Sequence, residues 1–179
     1  MIIALAGRRI DAPDTNPPRF PVANVALVKV RIAEFMQSHG VTGLVCAASC
    51  GADLLALEVA GERQLRRRVV LPFNHQLFRA TSVIDRGGDW GKRYDRIIAE
   101  VVAEDDLIEY AHDPNDSATW LVGNHDILKH AQALADETRS YLAALIVWEG
   151  NSRGADDVSG HLKAEAEARG LGIAKVLTL

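Results

Sequence analysis

Ser49-Cys50-Gly51-Ala52-Asp53 follows directly on the apolar run Leu44-Val45-Cys46-Ala47-Ala48 and leads into a helical pattern carrying Ala52, Leu55 and Val59 on one face. A turn of such small residues lets a ligand approach the backbone. The free N–H groups of the helix that follows suit phosphate or another anion. Asp53, in the first helical turn, can accept from a ribose hydroxyl or cap the backbone, and the helix dipole stabilises its charge there. Gly7-Arg8-Arg9 closes the first apolar run, and guanidinium groups match phosphate or carboxylate in two-point geometry. The alternative leaves one arginine solvated and the other paired with Asp11 or Asp14. A third small, polar stretch, Glu149-Gly150-Asn151-Ser152-Arg153-Gly154-Ala155-Asp156-Asp157, again sits between an apolar run and a helical pattern. Asn124 falls on the apolar stripe of a long helix, so its amide must find a partner, either a ligand or a loop carbonyl.

These groups need a scaffold that brings strand ends together. Apolar runs at 2–6, 44–48, 69–73, 107–110, 143–148 and 173–179 read as six strands. Between them lie helical patterns at 22–39, from 52, at 90–104, at 118–139 and up to about 169. Such alternation predicts a single α/β domain over 1–179, a three-layer Rossmann-like fold with a mostly parallel sheet and helices on both faces. Ligands of these folds bind at the carboxyl ends of the strands, which is where all three small-residue loops fall. The stretch 11–21 holds four prolines and reads as a rigid loop able to cover a strand end. Arg63, Arg66, Arg67 and Arg68 read as the solvated close of a helix, and 74–90 as irregular chain.

Composition narrows the function classes. At 48% hydrophobic and 25% charged residues the chain is an ordinary globular sequence. No run is long enough to span a bilayer and no signal peptide is evident, so membrane partners are not expected and a cytoplasmic setting is. A net charge of −4 makes nucleic acid an unlikely partner. Cys46 and Cys50 form no zinc or disulfide pattern, and Cys50 reads as an inert residue that fits its turn rather than a nucleophile. Neither a P-loop nor a G-x-G-x-x-G fingerprint occurs, and no cofactor or metal is called for. His112-Asp113 and His125-Asp126 have the wording of the metal-binding dyads of HD phosphohydrolases, but those proteins are all-helical.

The order strand, Ala48-Ser49-Cys50-Gly51-Ala52-Asp53-Leu54-Leu55, helix resembles the SLOG superfamily of Rossmann-like domains. That group includes the "lonely guy" phosphoribohydrolases, Smf-type DNA-processing proteins and many ligand-sensing domains. Arg8-Arg9, Asn124-His125-Asp126-Ile127-Leu128 and the loop 149–157 fall where such domains hold their ligand. The resemblance implies a nucleotide or nucleotide-derived ligand and leaves room for a homo-oligomer. The implied ligand-binding set is Gly7, Arg8, Arg9, Ser49, Cys50, Gly51, Asp53, Asn124, Gly150, Asn151, Ser152, Arg153 and Gly154. The phosphoribohydrolases carry P-G-G-x-G-T-x-x-E. Aligned on Gly154, this chain has Asn151 and Ser152 for the glycine pair, Ala155 for the threonine and Val158 for the catalytic glutamate. A sensing role with turnover near background is therefore expected over hydrolysis of an N-glycosidic bond. In the enzymatic alternative the carboxylate is Glu149, Asp53 or Asp156, while Glu58 reads as a surface residue.

Overall fold

The computed structural model describes residues 1–154 and 156–179. Six strands, β1 (Ile2–Gly7), β2 (Gly43–Cys46), β3 (Arg66–Leu71), β4 (Leu107–Glu109), β5 (Leu142–Trp148) and β6 (Gly172–Leu177), form one sheet in the order β4-β3-β2-β1-β5-β6. Every neighbouring pair is parallel. Six α-helices connect them: α1 (Val25–Ser38), α2 (Ala52–Glu62), α3 (His75–Ser82), α4 (Trp90–Ala103), α5 (Thr119–Thr138) and α6 (Val158–Ala168). The expected three-layer α/β fold is the one observed. Among the described residues no helix is long and apolar enough to cross a membrane.

The layers follow from strand alternation. Ile3 and Leu5 of β1 enter one core with Ile32 of α1, Leu55 of α2 and Ile97 of α4. Ile2, Ala4 and Ala6 enter the other, with Leu128 and Ala131 of α5 and Leu162 of α6. A strand buried on both faces must be apolar throughout, as β1 and β2 are. Strand order reverses between β1 and β5, so the loops leaving these two strands diverge and open a crevice at the carboxyl edge.

Three expectations are corrected. β3 begins at Arg66, so Arg66, Arg67 and Arg68 are strand residues rather than a helix end. Carboxylates meet them on both faces: Arg66 and Arg68 pair with Asp106, and buried Arg67 pairs with Glu100 and Glu104. The segment 74–90 contains α3, started by Asn74, whose side chain accepts from the Leu77 N–H. Glu58 is 7% exposed rather than a surface residue, because Lys29, Arg93 and Arg96 converge on its carboxylate.

Candidate functional site

Close backbone approach builds the carboxyl edge. A Cβ on Gly7 would lie 2.3 Å from the Ala52 Cβ and 2.9 Å from the Val147 carbonyl oxygen, so β1, α2 and β5 converge only around a glycine. Gly51 (φ +105°) forms an antiparallel bridge with Arg9, and the Ala52 N–H donates to the Arg8 carbonyl at 3.1 Å. The Cys50 N–H donates to the Ser82 carbonyl at 3.1 Å. The β2–α2 turn is thus stitched to the β1 loop on one side and to α3 on the other.

The crevice between β1 and β5 is filled by Arg8. Its Nε and Nη2 donate to Glu149 at 2.5 and 3.0 Å, and its Nη1 and Nη2 donate to Asp157 at 2.5 and 3.0 Å. Nη2 also reaches the Asn151 carbonyl at 2.8 Å, and the guanidinium lies 5.7 Å from the Trp148 ring centroid. Arg8 is 3% exposed. Burial alone would raise the Asp157 carboxyl, but Arg8 and the N–H groups of Arg153 and Gly160 outweigh it and hold the group at about 2. Arg8 is therefore a structural tie between the β1 and β5 loops, its charge matched within the fold.

A cavity of about 400 Å³ opens beside this tie, over the ends of β1, β2 and β3. Gly7, Arg8, Arg9, Ser49, Asp53, Asn124 and Arg153 of the expected set line it. Phe78 of α3, and Trp120 and Ile127 of α5, add apolar wall. Cys50, Gly51, Gly150, Asn151, Ser152 and Gly154 do not line it; they shape the turns behind it. Glu149, committed to Arg8, and exposed Asp156 also lie outside the lining, and Ala155 lies outside the described residues. Asn124 Nδ2 donates to the Val158 carbonyl at 2.8 Å, the loop-carbonyl alternative. Val158 itself contributes apolar surface to the cavity.

The chain's own groups take several of the N–H groups at these two helix amino ends, that of Ala52 donating to the Arg8 carbonyl. At α2, Asp53 Oδ2 accepts from the Ser49 N–H at 3.1 Å. At α6, Asp157 accepts from the N–H groups of Ser159 and Gly160. At α6 a carboxylate of the chain thus stands where a ligand oxyanion would otherwise bind. Positive charge is supplied instead by side chains at the rim. Arg9 pairs with Asp85, and Arg86 stands 3.9 Å from the same carboxylate. Arg153 has only a 3.9 Å approach to Asp157, which Arg8 already occupies, and no ion pair of Arg19 occurs among the described residues. Burial, then the charges of Arg8 and Arg19, lower the Arg153 pKa, the condition of a cation short of counter-charge.

Sequence reasoning missed Arg19, Arg86 and Trp120, whereas Phe78 is one of the aromatics near strand ends that it offers for stacking on a base or for packing a loop. A signal existed for Arg19: it precedes Phe20, whose complete burial pins the proline-rich loop, and Asp11 Oδ2 accepts from both their N–H groups. Burial also pushes up the Cys50 thiol, with Arg9 opposing, so this thiol is not activated. The two His-Asp dyads do not persist in space: His112 pairs with Asp126 at 2.8 Å and His125 with Glu165 at 2.9 Å. Among the described residues no three acidic, histidine or cysteine side chains converge as a metal site.

Asp53 stands apart electrostatically. It is 5% exposed, and burial raises its carboxyl to about 7 against the opposing pull of Ser49 and Arg9. Its Oδ1 has no hydrogen-bond partner among the described residues. No known protein family matches the chain, and no curated protein does.

Proposed function

We propose that the protein binds a nucleotide or nucleotide-derived small molecule in this cavity and acts as a ligand-sensing domain, in keeping with its resemblance to the SLOG superfamily. The observation that carries the reading is the pairing, in one cavity of about 400 Å³, of an under-compensated cationic rim with a buried carboxylate. The volume suits a mononucleotide. Arg19 and Arg153 supply positive charge for a phosphate, and the aromatic and aliphatic wall of Phe78, Trp120 and Ile127 offers a place for a base.

Mass spectrometry of small molecules released on denaturation, with calorimetric titration of ribonucleoside 5′-monophosphates, tests this. The expected result is a bound or titratable nucleotide whose affinity falls roughly tenfold or more in Arg19→Gln and Arg153→Gln, at an unchanged melting temperature. Failure to release or bind any nucleotide refutes the reading.

Hydrolysis of an N-glycosidic bond is the second reading, and Asp53 is what favours it. Of Glu149, Asp53 and Asp156, only Asp53 lines the cavity, and a carboxyl near 7 suits general acid–base work. Against it, the position matching the phosphoribohydrolase glutamate carries Val158, which cannot stabilise an oxocarbenium-like transition state. Binding with turnover near background is expected. Vigorous turnover that vanishes in Asp53→Asn, with binding retained, would establish the enzyme instead.

A further inference from the structure

Residues 84–89 form an exposed flap between two buried anchors, Val83 after α3 and Trp90 at the start of α4. A short 3-10 turn, Ile84–Arg86, is joined to α4 through Gly87 and Gly88, both at positive φ. Asp85 reaches from this flap to the β1 loop, where its Oδ1 takes Nη2 of Arg9. Nε of Arg86 stands 3.9 Å from the other oxygen, Oδ2. Asp89, the second acid of the flap, turns away to Arg93 of α4 at 3.0 Å. Arg9 and Arg86 line the cavity, whereas Asp85 and Asp89 do not. The Arg9 backbone is fixed by its bridge to Gly51, so its guanidinium is delivered to the rim by the β1 loop, and that of Arg86 by the flap.

The side chains of Arg9, Asp85 and Arg86 are 30%, 33% and 30% exposed, against 3% for Arg8. Arg8 is locked into the fold, but ion pairs as open as these hold weakly and exchange readily. One carboxylate also serves two guanidinium groups, which leaves a positive charge over among the three. A carboxylate ligand would replace Asp85 one for one and gain nothing. A phosphate dianion matches both cations and presents its oxygens in the two-point geometry that guanidinium groups read. We infer that Arg9 and Arg86 form an anion subsite of this cavity for a phosphate group, which the Asp85 carboxylate occupies until a phosphate displaces it. This goes beyond the nucleotide reading, which draws on Arg19 and Arg153, and it requires no base or sugar.

The test is calorimetric titration, at low ionic strength, of wild type, Asp85→Asn and Asp89→Asn with inorganic phosphate and with glycerol 3-phosphate, a monoester without a base. Asp85→Asn removes the occupant and should tighten phosphate binding roughly fivefold, the upper range for release of an exposed ion pair. Asp89→Asn makes the same change of net charge on the same flap, but Asp89 serves Arg93, so its affinity should stay within about twofold of wild type. Adding Arg9→Gln to Asp85→Asn should abolish the gain, and adding Arg153→Gln should leave it. A gain for both probes assigns the subsite to the phosphate group of an ester; a gain for the ion alone assigns it to free phosphate. An unchanged affinity in Asp85→Asn, an equal gain in Asp89→Asn, a gain that survives Arg9→Gln, or no phosphate binding to either wild type or Asp85→Asn would overturn the inference. Both aspartates are exposed, so the central comparison does not depend on how the Arg9→Gln protein folds. A failure to bind nucleotides would sink the nucleotide reading and leave this subsite standing, because neither probe carries a base.

Discussion

Replacing Asp53 by asparagine should make the protein more stable at neutral and alkaline pH. An ordinary aspartic carboxyl ionises near 3.8, whereas burial raises that of Asp53 to about 7. The native state therefore keeps this proton to a higher pH than the unfolded chain does. Stability falls as pH rises from about 4 to about 7, and the loss is complete above that range. Each tenfold in proton affinity corresponds to ~1.4 kcal/mol, so the full penalty approaches about 4 kcal/mol. Asparagine is nearly the same shape, carries no charge, and can still accept from the Ser49 N–H with its carbonyl oxygen. Its amide nitrogen would stand where Oδ1 now lacks a partner, at a cost of about 1–3 kcal/mol for a neutral buried group. The expected net gain at pH 8 is about 2 kcal/mol, read from urea unfolding of wild type and Asp53→Asn between pH 4 and pH 8. The difference should shrink as pH is lowered and be smallest near pH 4, where both side chains are neutral and each carries a buried donor without a partner. An Asp53→Asn protein less stable than wild type at pH 8, by a margin independent of pH, would mean that Asp53 is an ordinary helix cap, and the argument from burial would fail.

Gly51→Ala should destabilise by about 3 kcal/mol or more, because it combines a strained positive φ with a Cβ only 2.7 Å from the Arg8 carbonyl oxygen; an unchanged denaturation midpoint would show that the turn can relax. Arg8→Met should cost about 3–5 kcal/mol by leaving buried Asp157 and half-buried Glu149 without their cation, and a double-mutant cycle with Asp157→Leu should recover part of that loss. With Asp157 held at about 2, its contribution is fully present above about pH 4 and is lost as pH falls through about 2, opposite in sign to that of Asp53.

The layers were legible because β1, β2 and β5 are apolar runs flanked by small residues, and only a sheet covered on both faces tolerates such runs. β3 was legible from Val69 onward but not at its start. Three consecutive arginines look like solvent-facing chain until Asp106, Glu100 and Glu104 are known to stand opposite them. α3 was missed because eight residues hold too few turns for periodicity to register, and only its Asn74 cap marked it. At the carboxyl edge, the gathering of the three loops follows from topology alone. Which guanidinium remains available does not. Arg8 and Arg9 are neighbours with the same side chain, yet the partners of Arg8 lie 141 and 149 residues further on. Local sequence carries no trace of charge neutralisation over that distance. For the same reason Glu58, met by Lys29, Arg93 and Arg96, looked superficial.

The tie made by Arg8 also dates the cavity within the life of the chain. β1 to β4 lie side by side on one half of the sheet and can assemble in the order in which they are made, whereas β5 must return past them to pair with β1. Until it does, Arg8 has neither Glu149 nor Asp157, and the rim lacks Arg153. A ribosome-bound chain halted before these residues emerge would own most of the hydrophobic core but no finished pocket. A molecule taking this cavity could therefore do so only after the β1–β5 contacts have closed, so its binding would report completion of the fold and could not guide its beginning.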